Sequence, residues 1–92
     1  MNHELKCWPD FYERLADGTK TFECRRNDRG FQKGDYLKIC WFDPAKAAHG
    51  LPARSKTKPD LLFRVTYVLT GEQFGIKDGF CVIGIVKTEA EQ

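Results

Sequence analysis

Gly18-Thr19-Lys20-Thr21-Phe22-Glu23-Cys24-Arg25-Arg26-Asn27-Asp28-Arg29 is the stretch from which the fold is read. It places two acids and four cationic side chains around a single large apolar residue, Phe22. Gly18 stands where a helix should stop and a strand should start. The strand over 21–26 should turn Phe22 and Cys24 to the core, and Thr21, Glu23 and Arg25 to the opposite side. A strand that uses its side chains this way contributes little to a core, so it should line a polar cleft on a small barrel built by the rest of the chain.

Working outward, Asp10-Phe11-Tyr12-Glu13 has the spacing of a capping box. Phe11, Tyr12, Leu15 and Ala16 recur on one face, which predicts a short helix over 10–17. Upstream, residues 3–7 alternate weakly as a first strand, broken by Pro9. Downstream, Asn27-Asp28-Arg29-Gly30 is turn chemistry. A strand over 36–42 follows, with Leu37, Ile39 and Trp41 on one face. A longer strand over 61–70 should bury Leu61, Phe63, Val65, Tyr67 and Leu69. The last strand, over 80–87, is apolar on both faces and should be central or barrel-closing. Between them, 44–59 carries Pro44, Pro52 and Pro59 with Lys46, Arg54, Lys56 and Lys58 and no acid. It reads as a mobile basic loop, or as a flap touching a phosphate backbone. Residues 89–92 should fray.

The sum is a mostly β fold with one or two short helices, a small and mostly antiparallel barrel. Ninety-two residues with 41% hydrophobic content supply one compact domain over 1–92. No apolar run reaches a membrane span and the opening residues do not form a signal peptide, so a cytoplasmic protein without membrane contact is expected. Positive charge concentrates between residues 18 and 60, which suits an anionic partner. Cys7, Cys24, Cys40 and Cys81 form no CxxC pair. They read as buried free thiols, and the sequence calls for no metal and no cofactor.

Family resemblance adds to this reading. Gly18-x-Lys20-x-x-Glu23-x-Arg25 matches the GxKxxExR signature of ASCH domains, members of the PUA-like superfamily. The wider pattern resembles the DUF3850 family, a bacterial and phage branch of that group. It runs from His3-x-Leu5-Lys6 through Asn27-Asp28-Arg29 and Phe31-x-x-Gly34-Asp35-x-Leu37, then from Tyr67-Val68-Leu69-x-Gly71 to Phe80-x-Val82-Ile83. The resemblance implies a PUA-like barrel with a cleft beside the first helix, and a role with RNA or modified nucleotides.

The residue chemistry agrees with such a role. Arg25, Arg26 and Arg29 offer planar forks to phosphate or guanine. Trp8 can stack on a base. Glu23 can accept from an exocyclic amine, Asn27 offers both donor and acceptor, and Lys6 and Lys20 supply point charges. The expected site is Lys6, Trp8, Lys20, Glu23, Arg25, Asn27 and Arg29, binding RNA or a nucleotide-like ligand. The competing structural reading makes Glu23 a member of an ion network, Trp8 a staple for the helix, His3 a satisfied strand residue and Asp35 a turn residue.

Two other functions stand beside binding. One is a small hydrolase of a modified nucleoside, or a ribonuclease, using Lys20 and Glu23 as candidate catalytic residues. Related amidohydrolases of acylated cytidine are implied to carry Thr three residues after the Lys, where this chain has Glu23, so the reading favours a binding module over an enzyme. The other is a protein-interaction adaptor using the 44–59 loop.

Overall fold

The computed structural model describes residues 1–55 and 57–89. Five strands, β1 (Asn2–Cys7), β2 (Phe22–Arg26), β3 (Tyr36–Trp41), β4 (Leu61–Thr70) and β5 (Phe80–Lys87), form one sheet in the order β1-β3-β4-β5-β2. The sheet curls into a half-barrel around helix α1 (Pro9–Asp17), and a second short helix, α2, spans Pro44–Ala48. β1 runs parallel to β3, and the other three pairings are antiparallel. Inward side chains from β1, β3, β4 and β5 meet Tyr12 and Leu15 of α1 in one cluster, with Leu5, Leu37, Ile39, Val65 and Ile83 almost fully excluded from solvent.

The sheet does not close by backbone pairing. β1 and β2 are both edges. Met1 and Cys7 turn their carbonyls toward β3, so alternation along β1 leaves those of Glu4 and Lys6 on the open side. Arg29 Nη1 donates to the Glu4 carbonyl and Arg25 Nη2 donates to that of Lys6 at 3.1 Å. Two guanidinium groups thus span the seam where a ladder is missing. Charge-assisted donors suit this task, because an unpaired strand edge is both costly and open to foreign strands.

Three expectations of the sequence reverse here. In β2, Glu23 is buried while Phe22 and Cys24 are exposed. The pairing with β5 decides it: Glu23 lies opposite Ile83 and Arg25 opposite Cys81, and both partners face inward. Six apolar residues of β5 outweigh the two of β2 in choosing a face. In β4, a bulge between Val65 and Tyr67 sets two residues against Gly84. Tyr67 swings outward and Val68 packs on the core instead. The cysteines are not uniformly buried, since Cys24 is exposed.

Helix α1 also starts earlier than the capping-box spacing predicts. Pro9 opens its first turn, Trp8 occupies the N-cap position, and no side chain caps it. Of the expected apolar face, Tyr12 and Leu15 are buried, but Phe11 projects into solvent. Gly18 ends the helix at φ 85°, as expected of a left-handed cap.

The segment 44–59 is more than a plain loop. Asp43 caps α2 by accepting from the Ala45 N–H at 3.0 Å. Phe42 and Arg54 form an isolated bridge. Arg54 pairs with Glu4 at 2.8 Å, Lys58 pairs with Glu13 at 2.7 Å, and the Tyr12 hydroxyl donates to the Pro59 carbonyl. Of the 89–92 tail, residues 90–92 lie outside the described residues.

His3 and Asp35 join the start of β1 to the entry of β3. His3 Nε2 is 2.9 Å from Asp35 Oδ2, and the Gln32 N–H donates to the same oxygen at 3.0 Å. The Asp35 backbone meanwhile accepts from the Val65 N–H at 2.7 Å. Burial alone would push the Asp35 carboxyl up, but the bonds from His3 and Gln32 outweigh it and hold the group below its ordinary value of 3.8. A depressed carboxylate stabilises the fold above its unfolded value and loses that contribution as pH falls through the folded one. Asp35→Asn should therefore cost about 1.5–3 kcal/mol at neutral pH. In urea unfolding at a series of pH values, the difference from wild type should shrink below pH 3.8.

Candidate functional site

The turn after α1 is built to aim Lys20. Asp17 Oδ1 accepts from the Thr19 N–H at 2.9 Å and from the Thr19 hydroxyl at 2.7 Å. Those two bonds hold the Asp17 carboxyl below its usual range. The Lys20 N–H then donates to the Arg14 carbonyl at 3.0 Å, folding the chain back against the helix. From there Lys20 Nζ reaches Glu23 Oε1 at 2.8 Å and lies over the Phe11 ring at 4.7 Å and the Phe22 ring at 5.5 Å.

Glu23 and Arg25 share the inward face of β2, where the half-barrel is open. A cavity of about 490 Å³ lies here, lined by residues from the end of β1, the start of α1 and β2. Its floor holds Glu23, 5% exposed, between Lys20 and Arg25. Arg25 Nη1 stands 3.8 Å from Glu23 Oε2, too far for a hydrogen bond. That nitrogen is buried and has no hydrogen-bond partner. A buried guanidinium nitrogen that makes no hydrogen bond, in a side chain lining an open cavity, is a donor with unused capacity.

The rim is aromatic. Trp8, Phe11 and Phe22 are 58%, 49% and 47% exposed, and Trp8 stacks on Phe11 with centroids 6.2 Å apart and planes 22° apart. Lys6 also lines the cavity, its Nζ lying 4.8 Å from the Phe42 ring centroid. The backbone of β2 adds to the wall. Thr21 accepts from Ile85 and the Asn27 N–H donates to Gly79, so alternation turns the N–H and C=O of Cys24 away from β5 to the open edge. Arranged so, the cleft can offer exposed aromatic surface to a flat ring, a carboxylate and guanidinium to its polar edge, and an excess of positive charge to an anion.

A family model described as "Domain of unknown function (DUF3850)" matches residues 2–85. The chain belongs to the DUF3850 family. The match runs from β1 into β5, so it takes in every element that lines the cleft. No curated protein matches the chain.

In this DUF3850 domain, five of the seven residues expected from sequence line the cleft: Lys6, Trp8, Lys20, Glu23 and Arg25. Asn27 and Arg29 stand apart from its lining. The Asn27 side chain accepts from the Phe31 N–H at 3.3 Å and holds a turn, while Arg29 serves the seam. Arg26 lies over the Phe80 ring. Trp8, the staple of the competing reading, stacks on Phe11 of α1 and keeps more than half of its surface exposed. His3, buried against Phe31 and bonded to Asp35, lies outside the cleft.

Sequence reasoning missed Phe11 and Phe22, both assigned to the core. The available signal was surplus: the strands already carry enough apolar side chains to surround Tyr12 and Leu15 without them.

Cys7 lines the cleft as a buried thiol. Burial, and then the nearby Glu23 carboxylate, push its thiol up to about 11, so it stays protonated at neutral pH. Burial likewise pushes the thiol of Cys40 up to about 12 and raises that of Cys81. Native protein treated with iodoacetamide at pH 8 should therefore be alkylated first at Cys24, the exposed thiol. Peptide mass spectrometry after short exposure should find Cys7, Cys40 and Cys81 unmodified until the fold is opened with denaturant.

Proposed function

We propose that the domain binds a single unstacked nucleotide, free or within single-stranded RNA, in the cleft between α1 and β2. The observation that carries this reading is the pairing of three exposed aromatic side chains, Trp8, Phe11 and Phe22, with a polar floor in which Arg25 Nη1 makes no hydrogen bond. Stacking supplies affinity for any base, and a carboxylate beside a guanidinium supplies discrimination among base edges. Lys6, Lys20 and Arg25 against one Glu give the lining an excess of positive charge that suits a phosphate. The same reading assigns the family to the ASCH group of the PUA-like superfamily, in a cytoplasmic protein of bacterial or phage origin. For the described residues, no helix is long and apolar enough to cross a membrane.

A second reading rests on the 2.8 Å contact between Lys20 Nζ and Glu23 Oε1, within reach for proton transfer. It makes the domain a hydrolase of a modified nucleoside, or a ribonuclease.

Titration of short single-stranded RNA at two salt concentrations tests the binding reading. Affinity should fall as salt rises, and Trp8→Ala should weaken it by about 1–3 kcal/mol. Absence of binding at low salt would overturn the proposal. Incubation with acylated cytidine and with RNA, comparing wild type with Glu23→Gln, separates the two readings: product formed by wild type and lost in the variant decides for chemistry.

A further inference from the structure

The loop from Gly71 to Gly79 displays an aromatic side chain that the fold does not use. Phe74 is 92% exposed and sits at φ 50°, while Glu72 sits at φ 70°. Both lie in the left-handed region that residues with a β-carbon rarely adopt. The loop is nevertheless well braced. The Glu72 N–H donates to the Ile76 carbonyl at 2.8 Å, that of Ile76 to the Gln73 carbonyl at 2.9 Å, and that of Phe80 to the Lys77 carbonyl at 3.0 Å. A β-carbon at position 71 would stand 2.5 Å from the Lys77 carbonyl oxygen, so only Gly allows the loop to close this tightly. Strained backbone that holds a large apolar ring in water, on a braced turn, marks a surface shaped for a partner.

That surface adjoins the cleft. Phe74, Gly75, Ile76, Lys77 and Phe80 line a second depression of about 300 Å³, and its remaining wall is Cys24, which also lines the first. Two cations flank it: Arg26 lies over the Phe80 ring at 5.3 Å and Lys77 Nζ at 5.8 Å. Along the exposed face of β2, Phe22, Cys24 and Arg26 therefore run from the aromatic rim of the first cavity to the cations of the second.

We propose that this depression is a second subsite, which takes the neighbouring nucleotide of a single strand whose first base occupies the cleft. The inference rests on the nucleotide-binding reading of that cleft and deepens it, because it makes the ligand an oligonucleotide rather than a free nucleotide. Phe74 is the stacking platform. Arg26 and Lys77 meet the phosphate that joins the two residues, and the strand crosses Cys24 between them. The cations decide for a nucleic acid over an apolar peptide: an aromatic platform beside two positive charges complements a base and its phosphate.

The experiment is an NMR titration of the protein with a mixture of the four ribonucleoside 5′-monophosphates and, separately, with a mixture of the sixteen ribodinucleotides bearing a 5′-phosphate. Dinucleotides should bind at least about ten-fold more tightly than mononucleotides, and should shift amides of both the cleft and the 71–79 loop. Phe74→Ala should abolish that gain and leave mononucleotide affinity unchanged, since the side chain is solvent-exposed, and Phe74→Tyr should restore it. Lys77→Ala should flatten the salt dependence of dinucleotide binding alone. Equal affinity for the two ligand sets would overturn the second subsite and leave the first intact. A dinucleotide gain that survives Phe74→Ala would overturn it too. Failure of every ligand to bind would overturn the cleft reading and the subsite with it.

Discussion

Two unpaired strand edges face one another across the opening of this half-barrel, and the protein meets that constraint with guanidinium groups instead of a ladder. Arg25 and Arg29 donate to the carbonyls of Lys6 and Glu4. A ladder would have drawn β1 and β2 to within about 5 Å of each other and left no room between them. Long side chains span a wider gap. The cleft exists because the seam is closed by arginine and not by backbone.

From that gap follows the chemistry of the cleft floor. The inward face of a closed barrel strand must be apolar, but β2 borders an opening, so its inward positions can hold Glu23 and Arg25. Burying a carboxylate to 5% exposure is costly unless it is paired, and Lys20 at 2.8 Å provides the pair. Arg25 divides its donors between the seam and the cleft: Nη2 bonds the Lys6 carbonyl, and Nη1 is left without a hydrogen bond. One side chain thus couples the integrity of the barrel to the site beside it. Phe22, turned outward by the same register, then joins Trp8 and Phe11 in the rim.

The two long connections complement this arrangement from opposite ends of the molecule. The basic 44–59 segment is tied to the body by ion pairs to Glu4 and Glu13, so two of its cations are already engaged. Lys46 lies over the Trp41 ring. The 71–79 loop is instead braced by bonds within itself and by the Asn27 N–H on Gly79, and leaves Phe74 outside. Charge on a loop is therefore a poor guide to how free that charge is, because exposed cations readily find carboxylates of their own chain.

How much of this could be read from the chain alone depended on the range of the interactions involved. Local signals were sufficient where neighbours in sequence decide the outcome. Gly18 ends the helix, the alternation in 36–42 and the apolar run of 80–87 mark strands, and the GxKxxExR spacing groups Lys20, Glu23 and Arg25. Only tertiary structure chose the faces. Alternation says that Glu23 and Arg25 lie together, but their direction is set by pairing with Ile83 and Cys81, some sixty residues away. A single bulge in β4 inverts Tyr67 and Val68 without any mark in their own hydrophobic pattern, and Phe11 and Phe22 become a rim because other residues fill the core first. Sequence sets which residues share a face. The free energy of the whole core decides whether that face is wet or dry.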